Sequence, residues 1–134
     1  MLPEFRFHHI GVATYSIVQT AKYYKDAGYE VTEMIFDTIQ NVNICFLYKK
    51  DNPSIELIEP ISDLSPVTNI LRKGGVSPYH FCYEVDDMNE AIVNLEKKRF
   101  VSLSEPVIAV AMQNRLICFL YNKEFGLLEL VQAT

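Results

Sequence analysis

Apolar positions along the chain follow two periods, and their order predicts its elements. Phe5 to Ala13 alternates as a strand does, and Ser16 then caps a helix in which Ile17, Ala21 and Tyr24 recur at helical spacing. Gly28 stops that helix. Tyr29 to Phe36 reads as a second strand, Val42 to Tyr48 as a third and Ile55 to Ile58 as a fourth, so the first half is β-α-β-β-β. From Glu59 to Pro78 the composition shifts to Pro, Ser, Asp and Gly, with a short helix expected over Ser65 to Lys73 and ended by Gly74-Gly75. Tyr79 to Val85 opens a second series. Asp86 or Asp87 caps a helix whose Met88, Ala91, Ile92 and Leu95 share a face, and Phe100 to Leu103 resumes as strand.

The two halves share more than element order. Ile44-Cys45-Phe46-Leu47-Tyr48 returns 73 positions later as Ile117-Cys118-Phe119-Leu120-Tyr121, and the same offset carries Lys50 onto Lys123, Glu56 onto Glu129 and Leu57 onto Leu130. Self-similarity at a fixed offset indicates a duplicated module. The expected organisation is therefore one domain over 1–134, with module one at about 5–60, a linker at 61–78 and module two at 79–132.

Each module opens on a strand with a histidine and closes on a strand with a glutamate. His9 precedes Glu56 by 47 positions and His80 precedes Glu129 by 49, the two extra residues fitting a longer Glu105 to Asn114 loop. Both glutamates have apolar neighbours, so each carboxylate either faces solvent or points inward and needs a partner. Two imidazoles and two carboxylates at equivalent places converge if the modules pack about a pseudo-two-fold axis. Such a set suits Ni, Co, Fe, Mn or Zn, and on an octahedral ion leaves two positions open for water or substrate. His8 competes for the first position. Strand alternation puts it on the face of Ile10 and Val12, which should pack on the helix, and leaves His9 on the other.

Composition narrows the classes. With 134 residues, 49% apolar and 22% charged, the chain is long enough for a real core. A net charge of −5 and no Lys/Arg stripe argue against nucleic acid. No apolar run approaches the roughly 20 residues of a membrane span, and Met1 to Arg6 does not lead into a targeting segment, so the cytoplasm is expected. Cys45, Cys82 and Cys118 lie in apolar strand patterns without metal-type spacing and are expected to be reduced core residues. Tyr23-Tyr24, Tyr83 and the phenylalanines are read as packing, Glu84 to Asp87 as a solvated strand end and helix cap, and Glu96 to Arg99 as an exposed helix end.

His8-His9-Ile10-Gly11-Val12-Ala13, Ile55-Glu56-Leu57-Ile58-Glu59-Pro60 with Ser65-Pro66, His80 to Asp87, Ser102-Leu103-Ser104-Glu105 and Gly126 to Leu130 together resemble the vicinal oxygen chelate superfamily over nearly the whole chain. That superfamily includes glyoxalase I, methylmalonyl-CoA epimerase, extradiol dioxygenases and bleomycin-resistance binding proteins. The resemblance implies an α+β fold in which two tandem β-α-β-β-β modules form a U-shaped mixed sheet around a divalent metal. It maps the metal ligands onto His9, Glu56, His80 and Glu129, with Glu129 and Glu56 as the catalytic carboxylates.

The implied activity is that of an isomerase or lyase moving a proton beside a metal-chelated carbonyl of a thioester or thiohemiacetal, epimerase-like, in a homodimer. Glyoxalase I and a small-molecule binding or resistance protein are the alternatives; an extradiol dioxygenase is disfavoured because Glu56 adds a fourth ligand to a facial triad. The epimerases' further catalytic glutamate corresponds here to Ile39 or Gln40, neither of which is a base. Ala13 and Pro60 stand where glyoxalase I has glutathione contacts.

Overall fold

The computed structural model describes all residues, Met1–Thr134. The chain packs as two compact units, a first of His9–Tyr79 and a second of Met1–His8 with His80–Thr134. Ten strands and three α-helices give an α+β fold in which each expected β-α-β-β-β series has one further short strand and runs β-α-β-β-β-β. They are β1 (Arg6–Ala13), α1 (Ile17–Asp26), β2 (Glu30–Val31), β3 (Ile35–Asp37), β4 (Val42–Tyr48), β5 (Ile55–Pro60) and α2 (Pro66–Gly74), then β6 (Ser77–Val85), α3 (Met88–Glu96), β7 (Val101–Ser102), β8 (Val107–Ala109), β9 (Arg115–Asn122) and β10 (Gly126–Gln132). None of the helices is long and apolar enough to cross a membrane.

In the first unit the strand order is β2-β4-β5-β1, with β3 also on β4; in the second it is β6-β10-β9-β7, with β8 also on β9. The opening and closing strands of each series pair in parallel, and the closing hairpins β4-β5 and β9-β10 are antiparallel. Gly11 is in register with Glu56, and Cys82 with Glu129. Since side chains alternate along a strand, His9, two residues before Gly11, shares the face of Glu56, and His80 shares that of Glu129.

The opposite face is apolar and carries the helix. Val12, Ile17, Ala21, Cys45, Leu47 and Leu57 form one core. Val85, Met88, Ala91, Leu95, Cys118, Leu120, Leu128 and Leu130 form the other. Period-two alternation therefore turns Glu56 and Glu129 away from the helices.

Helix ends are duplicated too. Ser16 accepts from Gln19 N–H and Asp87 from Glu90 N–H, each satisfying a donor that the first turn leaves open. A residue at the end of the hairpin adds a second cap: Glu59 accepts from Ile17 N–H at 3.4 Å and Gln132 from Met88 N–H at 2.8 Å. Glu59 and Gln132 are again 73 positions apart.

Several elements differ from the expectation. Tyr29 to Phe36 is two short strands, because Thr32 breaks the ladder: its hydroxyl accepts from Phe46 N–H at 2.9 Å while its own N–H donates to Phe46 O. The long loop before β9 contains β8 and a 3-10 turn over Val110–Met112. Tyr23, read as packing, is 78% exposed on the outer side of α1, and Phe36 is exposed as well.

Candidate metal centre

The four residues that the sequence singles out are buried, with His9 0%, Glu56 2%, His80 4% and Glu129 2% exposed. In the first unit β1 and β5 bring His9 Nε2 within 3.3 Å of Glu56 Oε1. In the second, β6 and β10 bring His80 Nε2 within 3.1 Å of Glu129 Oε1. Charge-assisted N–H···O contacts close to about 2.7–2.9 Å. Two donors about 2.1 Å from a first-row ion at right angles stand roughly 3.0 Å apart. Both separations thus fit adjacent ligand positions at least as well as a simple ion pair.

Each imidazole has the same aromatic neighbour. The ring of Phe46 meets His9 edge to face at 5.5 Å, and that of Phe119 meets His80 at 5.2 Å. Phe46 lies directly opposite Glu56 in the β4-β5 ladder and Phe119 directly opposite Glu129 in β9-β10, so each ring stands on the carboxylate-bearing face. Such rings hold the imidazoles by shape and lower the local dielectric, which strengthens charge interactions made there. These phenylalanines were not singled out from the sequence as site residues, although the repeat contains them.

His8 is directed elsewhere. Its Nε2 lies 3.2 Å from Arg115 Nη2 and accepts a hydrogen bond from it, because a guanidinium only donates. Arg115 also donates to Glu84 Oε2 at 2.7 Å, to Met112 O at 3.3 Å and to Gln132 O at 3.4 Å. Arg6 holds the other Glu84 oxygen at 3.0 Å and reaches Asp86 at 2.8 Å. The Arg115 and Arg6 guanidiniums together hold the Glu84 carboxyl below its usual range. Glu84 is therefore a paired carboxylate, whereas the sequence suggested a solvated one. The available signal was a break in the repeat, for Arg115 takes the position of Val42.

The places of the absent contacts are defined as well. Ile39 is 61% exposed, and the side chain of Gln40 is tied to Asp37, which accepts from Gln40 N at 3.0 Å and from Gln40 Nε2 at 2.6 Å. Ala13 is buried and Pro60 ends β5. The three cysteines are buried and form no disulfide. Burial pushes the Cys45 thiol up to about 11 and raises that of Cys118.

Residues 8–119 match the Glyoxalase/Bleomycin resistance protein/Dioxygenase superfamily. The chain is 34% identical over 134 residues to the mitochondrial methylmalonyl-CoA epimerase of Homo sapiens, covering 96% of this chain and 74% of that protein. It is 30% identical to the ethylmalonyl-CoA/methylmalonyl-CoA epimerase of Cereibacter sphaeroides, covering 96% and 98%. Among solved structures, a variant of the Streptomyces coelicolor methylmalonyl-CoA epimerase in complex with 2-nitronate-propionyl-CoA superposes with a TM-score of 0.82 at 26% identity, covering 96% of this chain and 97% of that one. With its fold and the matched extent agreeing, the chain belongs to the glyoxalase/bleomycin resistance protein/dioxygenase superfamily and, within it, to the family of the methylmalonyl-CoA epimerases.

Proposed function

We propose that this protein is a divalent-metal-dependent epimerase of a 2-substituted malonyl-CoA thioester, with methylmalonyl-CoA as the first substrate to test. His9, Glu56, His80 and Glu129 are the residues that would hold the metal. The observation that carries this reading is the pair of matched His–Glu contacts, at 3.3 and 3.1 Å, on buried strand faces. All four side chains are of metal-holding types, and hard nitrogen and oxygen donors without thiolate suit a first-row divalent ion. The relatives named above support the choice of substrate class and the preference for an epimerase over a lactoylglutathione lyase.

The reaction is a proton exchange at the carbon between two carbonyl groups. When bound, the cation supplies electrostatic stabilisation for the negative charge that develops on the thioester oxygen. Glu129 acts as the base: its carboxylate takes the proton from C2, and the C–H electron pair moves into the enolate of the thioester. Glu56 is its counterpart: entering the cycle protonated, it gives its proton to the opposite side of C2 as the carbonyl re-forms and is left ionised. One carboxylate ends protonated and the other ionised, and exchange with solvent after product release resets both. Neither Ile39 nor Gln40 can share this work, since one is a hydrocarbon and the other an amide tied to Asp37.

The test is incubation of the metal-loaded protein with one C2 epimer of methylmalonyl-CoA in deuterated water. Racemisation with a deuteron at C2 is expected, and Glu129→Gln should lower the rate by about 100-fold or more while the protein still folds. Full activity in Glu129→Gln would remove the assignment of the base. Lactoylglutathione formed from methylglyoxal and glutathione, with no exchange on the acyl-CoA, would replace the epimerase reading by the lyase. Metal analysis of a His80→Ala, Glu129→Ala double variant checks the ligands, and metal equal to wild type would remove them.

A further inference from the structure

We infer that Arg115 is a positioning residue for the metal ligands, acting through the strands that carry three of them. This rests on the metal reading above. Its guanidinium reaches β1 at His8 Nε2 (3.2 Å), β6 at Glu84 Oε2 (2.7 Å) and β10 at Gln132 O (3.4 Å), and Nε adds the 3-10 turn at Met112 O (3.3 Å). His8 immediately precedes His9, Glu84 is four residues beyond His80 on β6, and Gln132 is three beyond Glu129 on β10. One planar, always-charged fork thus joins His8, the second unit's last residue on β1, to β6 and β10 at one end of that unit.

Stability alone does not require this arrangement. The equivalent position in the first unit is Val42, a buried apolar residue at the same place in its hairpin. Arg115 instead has a largely buried side chain, 14% exposed, paired with the Glu84 carboxylate and with the His8 imidazole. Strands whose ends can slide move their ligands by fractions of an ångström, and metal affinity is sensitive to that. Loss of a group that hydrogen-bonds a metal ligand directly commonly weakens binding by about 10–100-fold, and Arg115, which acts on neighbours of the ligands, belongs at the low end of that range.

The experiment uses the full chain and Co(II) alone as probe. Affinity is measured by competition with a chelator, ligand geometry by the visible absorption bands, and the thermal midpoint of the metal-free protein is followed alongside. Arg115→Met should weaken cobalt binding by about tenfold and change the visible bands. Arg115→Lys should recover much of the thermal midpoint but not the affinity, because one ammonium cannot span His8, Glu84 and two carbonyls. Ala91→Gly, in α3 and away from these contacts, serves as a control that lowers the midpoint alone. Wild-type affinity and spectrum in Arg115→Met, or in Arg115→Lys if the first variant fails to fold, overturns the inference. So does an equal loss in Ala91→Gly at a matched midpoint. Absence of cobalt binding in the wild type overturns the metal reading itself, and this inference with it.

Discussion

Gly28 and Arg99 occupy the same left-handed backbone position, φ +93 and +70, at the ends of equivalent helices. Each is followed by a residue whose N–H turns back onto the last turn: Tyr29 to Tyr24 O at 3.0 Å, and Phe100 to Leu95 O at 3.1 Å. This closure satisfies carbonyls that the helix leaves open, and glycine is its usual occupant. An L side chain there costs about 1–2 kcal/mol, partly offset by the greater freedom of glycine in the unfolded chain. Arg99→Gly should therefore stabilise the protein by about 0.5–1 kcal/mol, seen as a raised denaturant midpoint with an unchanged m-value. An unchanged or lowered midpoint would contradict the strain.

The Asp37–Gln40 contact makes adjacent positions behave differently. Gln40→Glu places a second carboxylate against a buried one at a 2.6 Å contact and removes its donor. It should destabilise by about 1.5–3 kcal/mol at neutral pH. The loss should shrink as the pH is lowered, because protonating either carboxyl restores a donor. Ile39→Glu, at a 61% exposed position, should change stability by no more than about 0.5 kcal/mol. Urea melts of the two variants at two pH values test the contrast.

Glu84 links pH to stability in a defined direction. Arg115 and Arg6 lower its folded pKa from the ordinary 4.5, so the folded state binds its proton less readily than the unfolded chain. The resulting stabilisation is present above about pH 4.5 and is lost as the pH falls through the depressed folded value. Asp86 beside Arg6 contributes to the same charge cluster. The wild type should lose stability on acidification more steeply than Glu84→Gln, and parallel acid profiles for the two proteins would count against the coupling.

The cysteines should be chemically silent in the native protein. A thiol needs its thiolate to react, and burial pushes Cys45 up to about 11 and raises Cys118. At pH 8 a charged disulfide reagent should label none of the three until denaturant is added. Rapid native labelling of Cys45 or Cys118 would show the strand faces to be open.

Much of the site was legible because its signals are local or repeated. Alternation around Ile55-Glu56-Leu57 and Leu128-Glu129-Leu130 states which side chains oppose the apolar ones, whatever the partner strand. The repeat then ties His9 to Glu56 and His80 to Glu129 as equivalent pairs. The same alternation separated His9 from His8, and the structure sends His8 to Arg115.

What the sequence did not contain was pairing. That Gly11 is in register with Glu56, that Phe46 lies opposite it, and that Arg115 joins His8, Glu84 and Gln132 are facts about residues distant along the chain. A local period is indifferent to register, since a slip of two residues preserves every face and changes every partner. Compact packing likewise decides that Met1–His8 associates with the second half of the chain, through Met1 and Phe5 against the core around Leu95 and Leu130. Periodicity and repetition determined which side chains share the face of the candidate site. Only tertiary structure, by choosing registers and closing long loops, decided which groups hold them there.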